Sequence, residues 1–144
     1  MAFYDMFQAS SISASGMAAE RFRMEVIAHN IANAQTTRSS RGGPYRRLDV
    51  VFEEVLRRPQ RAGEAPALGG VRAAELVEDP TEPIRLYMPG HPDADENGYV
   101  AFPNVQLPIE MVNLITAARA YEANFRTAQV FRQLNELALT LLRG

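Results

Sequence analysis

A short acidic stretch, HPDADENGYV, has residue types and a spacing that could bind a metal. The residues concerned follow the pattern D-x-D-x-N-G and are Asp93, Asp95, Asn97 and Gly98. This pattern opens a calcium-binding EF-hand loop, in which a bidentate Glu must occupy the twelfth position. Counting from Asp93, that position is Asn104, so the oxygen shell would be incomplete. The stretch therefore predicts a turn, and Asn97-Gly98 before the alternating residues YVAF favours a hairpin.

Other reactive groups are scarce in this sequence. Cysteine is absent and only two histidines occur, His29 and His91, which leaves no thiolate nucleophile and no material for a Cys/His metal site. The serines between positions 10 and 15 lack a G-x-S-x-G context, and neither Gly-Gly pair belongs to a phosphate-binding loop. The sequence therefore predicts no catalytic residue, no metal, no cofactor and no enzymatic activity.

Charge is divided unevenly along the chain. All fifteen basic residues are arginine and the net charge is −2, which does not favour binding to nucleic acid or to a membrane surface. Residues 38–61 are mainly basic and residues 75–96 mainly acidic, which indicates either solvated faces or complementary contacts between copies. The start MAFYDMFQ lacks the pattern of a secretory signal peptide, and no apolar run is long enough to predict a membrane span.

Apolar periodicity predicts helices at both ends of the chain. Spacings of three, four and seven from Phe3 to about Ala34 indicate an amphipathic helix, with a break between Ser10 and Gly16 where serines favour turns. A second helix is predicted from Pro108 onward, over about 35 residues or roughly 50 Å. Such a helix either packs within a monomeric bundle or requires a partner along its length.

The middle of the chain predicts short strands. The runs YRRLDVVFEEV, GGVRAAELVED, PIRLYM and GYVAFPNV are separated by turn residues, and an Arg/Gly/Pro-rich segment near 57–70 predicts a flexible loop. The expected fold class is α+β, with long N- and C-terminal helices packed together as a coiled-coil-like helical domain and a small β-rich middle domain. We expect residues 1–36 and 107–144 in the helical domain and residues 37–106 in the β-rich domain.

Two segments resemble signatures of the bacterial flagellar rod and hook axial proteins. NIANAQT, from Asn30 to Thr36, is similar to the N-terminal signature, and EMVNLITAARAYEANFR, from Glu110 to Arg126, is similar to the C-terminal one. The middle segment and the short length are similar to a subunit of the proximal rod. Pro108, just before EMV, departs from the family pattern.

The resemblance implies a structural subunit of the flagellar basal body. Its terminal helices would pack into the inner tube of a torque-transmitting rod that encloses the export channel. Partners would be other copies, neighbouring rod proteins and the export apparatus. The rod is periplasmic, and family members are exported by the flagellar type III apparatus without a cleaved signal peptide. Apolar helix positions and family motif positions together predict subunit packing by Ile27, Asn30, Ile31, Asn33, Met111, Leu114, Ala118, Tyr121, Glu122, Asn124, Phe125, Phe131 and Leu134.

Two other functions are compatible with parts of the sequence. An independently folded protein-binding module would use the strands and the Arg-rich segment, and another rod subunit of the same family is a closer alternative. A hydrolase using the acidic turn lacks a base, a nucleophile and a metal shell. The polar residues Asn30, Asn33, Asn113, Arg119, Glu122 and Asn124 border the apolar stripes, where they either set helix register or form ordinary helix surface.

Overall fold

The computed structural model describes residues 2–57 and 67–143 and shows an α+β fold, as the sequence predicts. Two long helices flank four strands along the chain. The elements are α1 (Ala2–Ala32), β1 (Leu48–Arg57), β2 (Ala67–Glu78), β3 (Ile84–Tyr87), β4 (Tyr99–Phe102) and α2 (Leu107–Arg143). Neither helix contains an apolar stretch sufficient to cross a membrane within these described residues.

Helix α1 is continuous, so the predicted break between Ser10 and Gly16 is wrong. The serine hydroxyls bond to backbone carbonyls of the preceding turn: Ser11 to Gln8 at 2.8 Å and Ser15 to Ile12 at 2.7 Å. These local bonds satisfy the hydroxyl groups without ending the helix. Gly16 is buried, and a Cβ placed on it would lie 2.9 Å from Nδ2 of Asn124 in α2. Tertiary packing therefore overrides the weak helix propensity of this segment.

The strands form two separate pairs, β1 with β2 and β3 with β4. β3 and β4 are antiparallel, with Tyr87 opposite Tyr99. Before β4, Oδ1 of Asp95 accepts hydrogen bonds from the backbone N–H groups of Asn97 and Tyr99, each at 2.9 Å. Gly98 has φ of 80°, which a glycine adopts without strain. The predicted turn is therefore present in the connection between β3 and β4, and these two strands form the predicted hairpin.

The predicted flexible loop near 57–70 falls largely on residues 58–66, which lie outside the described residues. Its last part differs from the expectation, because Ala67–Gly70 already belong to β2. β2 pairs with β1, and this pairing of distant segments is not indicated by a turn-like composition.

Helix α2 begins at Leu107, one residue before the predicted start, and continues for 37 residues. Pro108 is tolerated there because the first N–H groups of a helix have no partner within it. The two helices pack together, with α1 meeting α2 at Gly16 and Asn124 and again at Asn30 and Glu110.

The chain forms two compact units, and their boundaries cross the predicted domains. Unit 1 contains Met1–Phe22, Val51–Glu75 and Thr116–Gly144, and unit 2 contains Arg23–Val50 and Leu76–Ile115. Each unit includes parts of both helices and of the strands. Buried apolar side chains include Ala19 and Ala117 in unit 1, and Val26, Ile27, Val100 and Val105 in unit 2. In α2, by contrast, many large apolar side chains are exposed.

Gly70 is expected to be intolerant of any side chain. Its φ is 121°, and a Cβ at this position would lie 2.2 Å from the hydroxyl oxygen of Ser15. That hydroxyl accepts a hydrogen bond from the backbone N–H of Val71 at 3.0 Å, so moving it breaks a contact between β2 and α1. Gly70→Ala should lower the free energy of unfolding by about 3 kcal/mol, since backbone strain and the lost contact combine. Urea denaturation measures this change.

Gly90→Ala provides the control for Gly70→Ala. Gly90 does not have a positive φ, and an added Cβ there would meet nothing within 4 Å. This control should leave the free energy of unfolding within about 0.5 kcal/mol of the parent. If Gly70→Ala and Gly90→Ala lowered the free energy of unfolding equally, the positive φ and the close contact at Gly70 would not explain its effect.

Candidate functional site

Asn30, near the end of α1, has a completely buried side chain. Its Nδ2 donates to the backbone oxygen of Leu48 in β1 at 2.8 Å and to Oε2 of Glu110 in α2 at 3.1 Å. Its Oδ1 accepts from the backbone N–H of Leu48 at 2.9 Å and from the hydroxyl of Tyr45 at 2.8 Å. These four bonds use both amide hydrogens and both lone pairs. The side chain therefore binds Leu48 as a neighbouring peptide group would.

Glu110 in the first turn of α2 forms a buried ion pair with Arg47. Its side chain is 1% exposed, and Oε1 accepts a hydrogen bond from Nε of Arg47 at 2.8 Å. Nδ2 of Asn113, one turn later, lies 3.3 Å from the same oxygen. The guanidinium of Arg47 also lies 3.2 Å from a carboxylate oxygen of Asp49 and 3.6 Å from one of Asp79. Both charges of the pair are thus compensated by hydrogen bonds, as burial requires.

Asn104, which precedes α2, holds the backbone on which Arg47 is placed. Its Oδ1 accepts from the backbone N–H of Arg47 at 2.9 Å, and its Nδ2 donates to the carbonyl of Thr81 at 3.2 Å. The backbone N–H of Asp79 donates to the carbonyl of Arg47 at 2.8 Å. Asn104, which stands at the twelfth position where an EF-hand requires a calcium ligand, therefore binds backbone groups with its side chain.

The electrostatics follow from this burial. Burial, and then the negative charge of Glu110, raise the pKa of the Tyr45 hydroxyl. Burial acts to lower the pKa of the Arg47 guanidinium, but its hydrogen bond and attraction to Glu110, with a contribution from Asp49, leave that pKa raised. Hydrogen bonds from Thr81 lower the pKa of the Asp79 carboxyl, and the charge of Arg47 adds to the effect. Tyr45 thus remains neutral, and Arg47 and Asp79 remain charged, near neutral pH.

We refer to Asn30, Tyr45, Arg47, Asn104 and Glu110 as the polar cluster. All five residues belong to unit 2, and they connect α1, β1 and the start of α2. Each of these side chains forms a hydrogen bond with another segment of the same chain. A satisfied buried network of this kind fixes one arrangement of the elements around it. The polar cluster therefore stabilises the packing of these elements within unit 2.

The basic and acidic stretches meet within the chain. The guanidinium of Arg41 lies 2.6 Å from a carboxylate oxygen of Glu78, and that of Arg38 lies 3.7 Å from Asp93. The hydroxyl of Thr37 donates to Asp93 at 2.8 Å. These charges are therefore at least partly compensated within a single copy. This compensation argues against the predicted complementary contact between copies.

Helix α2 presents a second apolar face in unit 1, which we call the outer stripe. It consists of Val130, Leu134, Leu137 and Leu141, spaced by four, three and four residues on one side of the helix. Their exposed fractions lie between 46% and 83%. The opposite face, with Asn124, Ala128, Phe131 and Asn135, is partly buried. Exposure of a continuous aliphatic row is typical of a surface that binds another protein.

The residues predicted for subunit packing fall into three groups by exposure. Ile27 and Asn30 are buried and pack within this chain. Those that are partly buried are Ile31, Asn33, Leu114, Tyr121, Asn124 and Phe131. Those that are exposed are Met111, Ala118, Glu122, Phe125 and Leu134. Only the last two groups have surface free for a neighbour.

Comparisons with known proteins identify the family. Residues 11–38 match the family described as flagella basal body rod protein, and residues 96–141 match the C-terminal family of flagellar basal body rod FlgEFG proteins. The flagellar basal-body rod protein FlgC of Aquifex aeolicus is 42% identical over 92% of this chain and 93% of its own. FlgC of Borreliella burgdorferi is 38% identical over 96% and 99%, and that of Salmonella typhimurium 38% over 98% of each. The chain belongs to the FlgC family.

As an FlgC family member, the chain is a structural protein of the flagellar basal-body rod. The resemblance seen in NIANAQT and EMVNLITAARAYEANFR is confirmed, including the particular rod subunit. Both signatures also contribute to the polar cluster, since the first begins at Asn30 and the second at Glu110.

Sequence reasoning missed four members of the polar cluster, namely Tyr45, Arg47, Asn104 and Glu110. Tyr45 and Arg47 were part of a predicted strand, and Asn104 entered only as the unsuitable twelfth position of a calcium loop. Glu110 entered as the first residue of the second signature, although its side chain is buried against Arg47. The sequence does show an arginine directly before a strand, Arg47, and a glutamate at the start of the second signature, Glu110. No local sequence pattern predicts that two residues so far apart in the chain form an ion pair.

Proposed function

We propose that this chain polymerises through its terminal helices into the axial shaft of the proximal rod. The shaft transmits torque and encloses the export channel. Its partners are other copies, neighbouring rod proteins and the base of the export apparatus. The outer stripe of α2 is the observation that carries the proposal, because its aliphatic side chains are exposed in the single chain. Covering them with a neighbour removes apolar surface from water, which stabilises by roughly 25 cal/mol for each Å².

The length of α2 suits a load-bearing role. Its 37 residues extend for about 55 Å without a break, and the predicted packing residues are distributed along it. Among those residues, Met111, Ala118, Glu122, Phe125 and Leu134 are exposed and are our candidates for direct contact with neighbours. Contacts repeated along a continuous helix resist bending and twisting better than one local contact.

The periplasmic location and the export route extend the same proposal. The family resemblance supports passage through the flagellar type III apparatus without removal of a signal peptide. Subunits would then fold or complete their packing at the growing tip, where the exposed helix faces first meet neighbours. Ordering entropy is lost at that step and offset by burial of the apolar rows.

Charge on the outer stripe is expected to block assembly without unfolding the subunit. Leu134→Asp and Leu137→Asp each place a carboxylate on an exposed position, so the isolated subunit should keep its helix content and melting temperature. In the assembled rod the same carboxylate would be desolvated without a partner, at a cost of several kcal/mol. We expect loss of the subunit from purified basal bodies and loss of swimming.

Ser40→Asp is the control, since Ser40 is exposed and lies outside both helices, so the carboxylate is added away from the proposed contacts. This variant should be incorporated into basal bodies at the level of the parent. If Leu134→Asp and Leu137→Asp were incorporated equally well, assembly through the outer stripe would be refuted. An independently folded binding module would then account better for the chain.

A further inference from the structure

Another apolar surface of unit 1 is a groove beside α1, which is open among the described residues. It has a volume of about 370 Å³ and is lined by Ile12, Gly16, Ala19, Phe52 and Val71, with Gly70, Glu20, Glu54 and Asn124 completing the wall. Two of its lining residues are the glycines Gly16 and Gly70, which allow the side chains of Asn124 and Ser15 to approach the backbone closely at the wall of the groove. The groove is lined mainly by apolar groups and has the size of a small binding site.

The outer stripe has the shape to occupy such a groove. Its aliphatic side chains project from one side of a rigid helix, one or two helical turns apart. In a single copy, neither surface covers the other, because the outer stripe is exposed and the groove is open. A second copy of the chain supplies the missing partner for each.

We propose that the outer stripe of one copy inserts into the α1 groove of the next copy, in a head-to-tail contact. This inference rests on the proposed function, because it specifies which surfaces meet when the chain polymerises. A contact between two different surfaces leaves one of each free at the ends, so it propagates. A contact of the outer stripe with itself would be satisfied in a dimer and would stop there. Rod growth therefore favours the pairing of groove and stripe.

The charges near the two surfaces agree with this pairing. Glu54 is exposed at the groove, and Arg119 is exposed on the same side of α2 as the outer stripe. Opposite charges flanking an apolar contact steer the two surfaces into one orientation.

Cysteine cross-linking tests the contact directly, because the chain has no cysteine of its own. Ile12→Cys and Leu137→Cys copies, carrying different tags, are co-expressed in a bacterium that lacks its own rod subunit of this family. Purified basal bodies are then oxidised. We expect a cross-linked species with both tags, and a ladder of dimers, trimers and larger species when both cysteines are placed in one chain. Glu54→Cys in place of Ile12→Cys should behave likewise, and it changes no apolar residue.

Gln129→Cys is the control partner for Ile12→Cys, and its yield of mixed cross-link should be lower by roughly tenfold, since only adjacent thiols have a high effective concentration. Incorporation into basal bodies without mixed cross-links would overturn the proposed contact and leave the proposed function intact. Cross-links between two Leu137→Cys copies alone would overturn it in favour of stripe-to-stripe pairing. Absence of every variant from basal bodies, Gln129→Cys included, would count against the proposed function itself.

Discussion

Asn30→Ala is expected to lower the free energy of unfolding by about 3 kcal/mol or more. The substitution removes four hydrogen bonds and leaves the backbone N–H and carbonyl of Leu48 and the hydroxyl of Tyr45 without that partner. The site is fully buried, so water cannot readily replace the amide. Urea denaturation of the purified monomer, followed by circular dichroism, measures the loss.

Asn33→Ala is the matched control for Asn30, because it removes the second asparagine of the same motif. Asn33 follows the end of α1 and is only partly buried. Its amide donates to the carbonyl of His29 at 2.9 Å, and its Oδ1 accepts from the hydroxyl of Thr36 at 3.2 Å, so both partners are local. Its loss should cost less than about 1 kcal/mol. Asn30→Asp keeps the shape but cannot donate to Leu48 or Glu110, so it should be at least as harmful as alanine. Equal losses for Asn30→Ala and Asn33→Ala would disprove the special role of Asn30.

Removal of Glu110 should have a comparable effect for an electrostatic reason. Glu110→Ala leaves the guanidinium of Arg47, which is only 18% exposed, without its closest carboxylate. Breaking a buried pair by deleting one partner typically costs about 3–5 kcal/mol. We expect a loss of stability in this range, less for Glu110→Gln because the amide oxygen can still accept from Arg47. Thermal and urea denaturation of the three proteins provide the comparison.

Glu122→Ala is the control for the buried pair. Glu122 pairs with Arg126 one turn later on the same helix, and both side chains are more than half exposed. Such a surface pair contributes about 0.3–0.5 kcal/mol, so its removal should hardly be detected. If Glu110→Ala cost no more than Glu122→Ala, burial and hydrogen bonding would not be what gives the Glu110 pair its importance.

The location of the polar cluster assigns a role to the family signatures. Asn30 begins one signature and Glu110 the other, and their side chains meet inside unit 2 at 3.1 Å. These two positions therefore act on the fold of the subunit. Met111, Phe125 and Leu134, in or near the second signature, are exposed and remain available for contacts with neighbours. Helix α2 can thus stabilise the subunit through one face and contact neighbouring subunits through another.

The sequence by itself determined the elements and the family. Spacings of three and four residues predicted both helices because a helix returns to the same face after about 3.6 residues. Turn residues between short apolar runs predicted the four strands, and Asn97-Gly98 predicted the turn before β4 because glycine adopts a positive φ there. The segments NIANAQT and EMVNLITAARAYEANFR were sufficient to indicate the flagellar rod proteins.

Only the tertiary structure decided how these elements are held together and which faces remain open. Asn30 and Glu110 are 80 residues apart, and no local pattern states that their side chains share hydrogen bonds. The continuity of α1 through Ser10 and Gly16 depends on packing against α2 as well as on local propensity. The apolar periodicity of α2 likewise did not say that Leu134 faces outward. The physical reason is that periodicity reports that a face is apolar, whereas burial depends on which distant segment covers it.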